Sequence, residues 1–303
     1  MPIVVPKDMP ASKILQEENI FVINEKRASS QDIRPLEIAI VNLMPTKIIT
    51  ETQLMRLLSN SPLQVNITLI STSSYVGKNT PAEHLEKFYK SFDDIKSCKF
   101  DGLIVTGAPV EDLEFSEVKY WKELEGVFEF AKTNVTKSIF ICWGAQAALY
   151  YYYGINKYPL KTKLFGIYEH KKIGNLDKLL KGTDDRFFIP HSRHSAIDEN
   201  AVKNCKQIKT IVYSEKTGSS IIKSKDEKFI FITGHAEYDR DTLEKEYLRD
   251  KEKGLDITPP ENYYINGNSG EINMNWASTA NLIYMNWLNA VYQETPYKLE
   301  DIK

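Results

Sequence analysis

Short apolar runs alternate with segments of helical period along the first half of the chain, and this alternation constrains the fold more than any other feature. EIAIVNL (37–43), bounded by Pro35 and Pro45, reads as a buried strand, as do VNITLI (65–70), DGLIVTG (101–107) and TKSIFIC (136–142). TETQLMRLLSN (50–60), PAEHLEKFYKSF (81–92) and VKYWKELEGVFEFAKTN (118–134) read as helices between them. Strands alternating with helices of this length predict an α/β fold, a mainly parallel sheet flanked by helices on both faces. Beyond Tyr158 the pattern loosens, and YPLKTKLFGIYEH and FFIPHSRHSAID read as extended segments and loops. IKTIVYS (208–214), SSIIKS (219–224) and KFIFITG (228–234) then read as strands, and RDTLEKEYLRDKEKG (240–254) as a charged helix. A Gly/Asn/Pro-rich loop leads into an amphipathic helix from about Ser278.

Residues 1–34, with prolines at 2, 6 and 10, one short polar helix and the stretch ASSQDIRP, read as an N-terminal arm. Residues 35–303 read as a single domain with an elaborated C-terminal half, since no linker divides them. The 303-residue chain is 42% hydrophobic and 26% charged, an ordinary composition for a soluble globular protein. Its net charge of -2 exerts no general pull on nucleic acid or an anionic membrane. No stretch approaches the ~18 apolar residues of a spanning helix, and MPIVVPKDMP is too short and proline-broken for a signal peptide. Three cysteines, Cys98, Cys142 and Cys205, neither build a disulfide framework nor show metal spacing. These features predict a cytoplasmic protein.

SIFICWGAQAALYYYYG (138–154) runs as a strand, stops at Cys142 and restarts at once as a helix. Ligands of open α/β sheets sit beyond the carboxyl ends of strands, where Cys142 falls. The N-terminus of the following helix would favour a thiolate and bind a developing oxyanion, and Gly144 leaves room for a sharp strand-to-helix turn. An isolated buried cysteine is equally a common core residue. A second strand end carries His235 and Glu237, whose spacing on an extended segment would project both side chains to one side. Glu237 could then orient the imidazole while its other nitrogen serves the thiol. His191 and His194 in HSRHS lack the acidic or thiol neighbours that complete a metal site, so no metal is expected. Ser192 and Arg193 in the same segment suit a polar lining for a charged small molecule, and equally a solvated loop. Tyr150 to Tyr153 read as helix packing, since no basic stripe accompanies them to make a base-stacking platform.

The order Cys…His-x-Glu on an alternating sheet resembles the class I glutamine amidotransferase-like, flavodoxin-like fold. More closely, the chain resembles the homoserine O-acyltransferases of methionine biosynthesis, a family of homoserine O-succinyltransferases and acetyl-using relatives. The likeness covers essentially the whole chain: MPIVVPKDMPA, NLMPTKIITETQ, VTGAPVE, ICWGAQAAL, KLFGIY, PHSRHS, GHAEYD and NMNWAS occur in order. The resemblance implies Cys142 as the acyl-thioester nucleophile, His235 as general base and Glu237 as its orienting carboxylate. It implies the Trp143 N–H in the oxyanion hole and Lys163, Ser192 and Arg249 at substrate-binding positions, with Arg249 suited to a carboxylate. Lys47, in NLMPTK, matches another position of the family and its role stays open. Position 111 helps select the acyl donor in the family, glycine going with succinyl and glutamate with acetyl. Glu111 fills space and repels a succinyl carboxylate, so the expected donor is acetyl-CoA. The implied activity is homoserine O-acetyltransferase by a ping-pong mechanism, with L-homoserine and acetyl-CoA as substrates, no other cofactor, and a homodimer. Homoserine O-succinyltransferase is the alternative within the family. A glutamine amidotransferase subunit fits less well, because Phe140 stands where that group usually has glycine, and a non-enzymatic ligand-binding protein would not need the Cys142, His235 and Glu237 set.

Overall fold

The computed structural model describes residues 3–302 apart from 7, 19, 21, 24, 29–33, 74–79, 175–176 and 268, so most of the ASSQDIRP stretch lies outside the described residues. The first residues give β1 (Ile3–Val4), α1 (Pro10–Glu17), β2 (Val22–Ile23) and α2 (Glu25–Ala28). β3 (Leu36–Val41), α3 (Lys47–Ser59), β4 (Val65–Ser71), α4 (Ala82–Phe88), β5 (Tyr89–Ser91) and α5 (Phe92–Ile95) follow. β6 (Phe100–Val105), α6 (Trp121–Thr133), β7 (Val135–Ile141) and α7 (Trp143–Tyr153) complete this half. The second half holds β8 (Lys157–Lys172), β9 (Arg186–Ile197), α8 (Glu199–Asn204), β10 (Ile208–Ser214), β11 (Gly218–Ser224), β12 (Phe229–Ile232), α9 (Thr242–Glu252) and α10 (Ala277–Glu294). All strands join one sheet in the order β2-β1-β4-β3-β6-β7-β12-β11-β10-β8-β9, with β5 beside β4. Pairing is parallel from β2 to β12 and antiparallel from β12 to β9.

The apolar runs are strands because both faces are covered. Ile38, Ile40, Ile104, Ile139 and Ile141 pack on one face against Leu54 and Leu58 of α3 and Trp287 and Leu288 of α10. Ala39, Val41, Leu103, Val105 and Phe140 pack on the other against Leu124, Val127 and Phe128 of α6 and Ala147 and Ala148 of α7. Each Val, Leu, Ile or Phe side chain among them contributes about 1.5–3 kcal/mol on burial. The tyrosine run packs within the same layers: Tyr152 stacks on Phe229 at 4.5 Å and donates to Phe128 O at 2.7 Å. A third cluster, Phe165, Ile167, Tyr238, Leu243, Tyr263 and Trp276, seats α9 on β8.

Three elements differ from the sequence expectation. Residues 81–92 are not one helix: α4 ends at Phe88, β5 pairs with Leu69–Ser71, and a Ser91–Asp94 capping box starts α5. The segments expected as extended stretches and loops are two long strands, β8 and β9, which pair antiparallel through much of their length, Gly166 with His191 and Ile167 with Pro190. In the arm, β1 pairs with β4, and Ile3, Val5, Met9 and Leu15 are buried in the core. Among the described residues no helix is long and apolar enough to cross a membrane.

Candidate active site

β7 and β12 run side by side, with Ile141 in register with Ile232, so the residues that follow leave the sheet together. The Cys142 N–H donates to Ile232 O at 2.7 Å, and α7 begins at Trp143. To make that turn Cys142 takes φ 50°, ψ -118°, a conformation that costs about 1–3 kcal/mol in a non-glycine residue and persists only where the surroundings enforce it. The surroundings are tight: a Cβ at Gly144 would lie 2.5 Å from Thr106 O. Gln146 closes the first helical turn by donating to Cys142 O at 3.1 Å. Its side chain accepts from Ser195 Oγ at 2.8 Å, which ties α7 to β9. The thiol therefore sits at a helix N-terminus, whose first N–H groups, Trp143 included, have no partner within the helix.

β12 stops at Ile232, and His235 and Glu237 lie on a turn, not on the extended segment the sequence suggested. The turn still brings them together: His235 Nδ1 is 2.6 Å from Glu237 Oε1. That leaves Nε2 turned from Glu237, and the Cys142 sulfur acts on the ring's charge. A Cβ at Gly107 would lie 3.2 Å from Cys142 Cβ and 3.6 Å from His235 Cε1, which shows how closely the two side chains approach. Two further contacts fix the ring: the His235 N–H donates to Pro190 O at 2.8 Å, and Tyr238 stacks on it at 4.2 Å. Burial disfavours the imidazolium, but the Cys142 sulfur and Glu237 outweigh it and hold His235 well above its usual range. The arrangement sets an imidazole beside a thiol with a carboxylate behind it, the geometry of a nucleophile and its base.

Lys163, Ser192 and Arg249 gather around two carboxylates of α9. Ser192 Oγ donates to Glu246 Oε2 at 2.5 Å, and Tyr238 OH donates to Glu246 Oε1 at 2.9 Å. Lys163 Nζ lies 3.2 Å from Asp250 Oδ2 and 3.6 Å from Glu246 Oε2. Arg249 Nε donates to Asp250 Oδ1 at 2.8 Å. Through Tyr238 this cluster of cations and anions reaches the His235 ring.

Glu111 lies on the loop after β6, half-buried, and its carboxylate accepts the His194 N–H. Its carbonyl accepts Lys157 Nζ at 2.7 Å. Burial pushes the Glu111 carboxyl above its usual range, against the His194 N–H and the charges of His194, His235 and Arg193. His191 and His194 diverge on β9, the first buried and the second exposed. His191 Nε2 sits 3.2 Å from His170 Nε2, and burial pushes His170 down to about 4. No group of described residues could hold a metal ion. Lys47, buried at the start of α3, donates to Asn42 O, and burial lowers its ammonium to about 8 against the pull of Glu51.

A model of the homoserine O-succinyltransferase family matches residues 2–297. The chain belongs to that family. It is 54% identical over 301 residues to a homoserine O-acetyltransferase of Lachnoclostridium phytofermentans, and 52% identical over 302 residues to homoserine O-acetyltransferase 1 of Ilyobacter polytropus. Each alignment covers 99% of this chain and 100% of the relative. Among solved structures, a glutamine amidotransferase of Thermotoga maritima superposes with TM-score 0.54 over 86% of this chain and 99% of its own, at 14% identity. One of Methylobacillus flagellatus gives 0.55 over 88% and 99%, at 12% identity. At such identities the likeness establishes the fold, and it is the α/β fold expected.

Sequence reasoning missed Glu246, Asp250 and Tyr238. In this member of the homoserine O-succinyltransferase family the first two share one face of α9 with Arg249 at helical spacing. That spacing was the available signal, hidden among the other charges of the helix. Tyr238 had none, because its stacking on His235 depends on the turn.

Proposed function

We propose that this protein transfers an acetyl group from acetyl-CoA to the hydroxyl of L-homoserine through a thioester on Cys142. The observation that carries this reading is the strained Cys142 at the start of α7, facing a His235 held 2.6 Å from Glu237. The full-length relatives named homoserine O-acetyltransferase point to the same substrate. In the first half-reaction the Cys142 thiolate attacks the thioester carbon. The Trp143 N–H and the dipole of α7 favour the oxyanion. Collapse expels the CoA thiolate, which takes the His235 proton and leaves as CoA. His235, now neutral, accepts the proton of the homoserine hydroxyl as that oxygen attacks the acetyl thioester. Expulsion of Cys142 as thiolate restores the ion pair. One thioester replaces another in the first step, so positioning is its main demand.

Homoserine carries an ammonium and a carboxylate, and the cluster beside Tyr238 offers both counter-charges. Glu246 and Asp250 suit the ammonium; Lys163 and Arg249 suit the carboxylate, with Ser192 hydrogen-bonded to Glu246. The half-buried Glu111 carboxylate favours acetyl over the alternative, succinyl, whose own carboxylate it repels. We take the active form as a cytoplasmic homodimer needing no cofactor besides its acyl donor; a monomer in sedimentation velocity would contradict the dimer. Intact mass after incubation with acetyl-CoA alone should show one added acetyl group, absent from Cys142→Ala. Parallel initial-rate lines should accompany it. Intersecting lines, or an unmodified Cys142, would contradict the mechanism.

A further inference from the structure

Glu18, at the carboxyl end of α1, brings the N-terminal arm within one side chain of the turn that carries His235. That side chain is Arg56 of α3. Its Nε and Nη2 donate to the two carboxylate oxygens of Glu18, and its Nη1 donates to Asp239 Oδ1 at 2.6 Å. Gln53, one helical turn earlier, donates to Thr242 Oγ1 at 3.1 Å, and the same hydroxyl accepts the Asp239 N–H at 3.1 Å. An isolated ion pair at a surface contributes little, but a guanidinium that grips one carboxylate with two bonds and a second with its remaining arm fixes their relative positions. Asp239 directly follows Tyr238, whose ring stacks on His235 at 4.2 Å and whose carbonyl accepts Trp276 Nε1 at 2.9 Å. The turn is thus tied at His235 by Pro190 O, at Tyr238 by Trp276 and at Asp239 by α3. Burial of Ile3, Val5, Met9 and Leu15 already docks the arm, so its attachment does not depend on Arg56.

We infer that Arg56 is a positioning residue: it fixes the turn bearing His235 and Tyr238 against the N-terminal arm, with Glu18 holding the guanidinium in the orientation that Asp239 requires. For its effect on turnover the inference rests on the acyltransferase reading above. Without Glu18 the long Arg56 side chain can rotate away from Asp239. Without Arg56 the turn loses its tie at Asp239, and Tyr238 and the imidazole it stacks on gain freedom. Misplacing a reacting group by about 1 Å can cost ~100-fold in rate, so partial loosening of this turn predicts a loss of ~10-fold. The arm is then part of what holds the base in place, although none of its residues touches the thiol or the imidazole in the contacts described above.

The test follows Cys142 in the full chain by two rates: acetylation by acetyl-CoA and alkylation by iodoacetamide, each located by peptide mapping. The variants are Arg56→Met, Arg56→Lys, Glu18→Gln and Glu18→Gln/Arg56→Met. Arg56→Met should slow both rates ~10-fold. Arg56→Lys, which keeps the charge and can still meet Asp239, should recover part of that loss. Glu18→Gln should slow both rates about 3-fold in the unsubstituted background and add nothing in Arg56→Met, because the link through which it acts is gone. An Arg56 that serves stability alone would lower the melting temperature and leave both rates per folded molecule unchanged. That result, or a Glu18→Gln effect of equal size with and without Arg56, would overturn the inference. If Arg56→Met fails to fold, Glu18→Gln and Arg56→Lys decide it, and unchanged rates in both would overturn it equally. Alkylation needs no acyl donor, so an unsubstituted protein that is alkylated but never acetylated would sink the acyltransferase reading while the alkylation rates still decide the role of Arg56.

Discussion

His235 links the chemistry of the site to the stability of the fold. Burial works against its charge, yet the Cys142 sulfur and the Glu237 carboxylate prevail and raise its pKa. A raised imidazole stabilises the folded state fully below the unfolded value of about 6.5, and that stability is lost as pH rises through the folded value. Thermal melts of the unsubstituted protein and His235→Gln should therefore differ most near pH 6 and converge in alkaline solution. A gap that widened with pH would contradict the charged pair. Cys142 and His235 were legible in the sequence because each follows an apolar run at a strand end, where open α/β sheets place their ligands. The contact between His235 and Glu237 was expected for a different reason than the one observed. The pleat of a strand would have aligned them; a turn does so instead.

α9 carries the part of the site that the sequence concealed. Its face with Glu246 and Asp250 lies over β8 and β9, where Lys163 and Ser192 project, while Arg249 beside them is exposed. In the sequence these residues sit among so many other charges that the helix reads as merely solvated. Only the packing of Leu243 with Phe165, Ile167 and Trp276 fixes which face turns inward. On the proposed reading, Glu246→Gln removes one counter-charge for the homoserine ammonium and leaves the Cys142 elbow in place. KM for homoserine should rise about 10-fold, as expected for one charge-assisted contact, with acetylation of Cys142 by acetyl-CoA unchanged. Slower acetylation at unchanged KM would move Glu246 out of the amino-acid site. β8 and β9 were read only as extended segments and loops because lysines and prolines interrupt their alternation. Their pairing with each other, which no local pattern reveals, makes them strands.

Across the molecule, one sheet with helices on both faces places β7 and β12 side by side, and their carboxyl ends hold the thiol and the imidazole. The parallel half was legible because its strands are buried on both faces and read as continuous apolar runs. The antiparallel half supplies β9, which touches every part of the site: Ser195 holds Gln146, Ser192 meets Glu246, and the His194 N–H holds Glu111. Glu111, on the loop after β6, is held by contacts from β8 and β9, through Lys157 Nζ and the His194 N–H. The most direct measurement is homoserine-dependent CoA release, with acetyl-CoA and succinyl-CoA compared in parallel. Release with acetyl-CoA and little with succinyl-CoA is predicted. Equal or faster release with succinyl-CoA would contradict the role given to Glu111, and release with neither would contradict the acyltransfer itself.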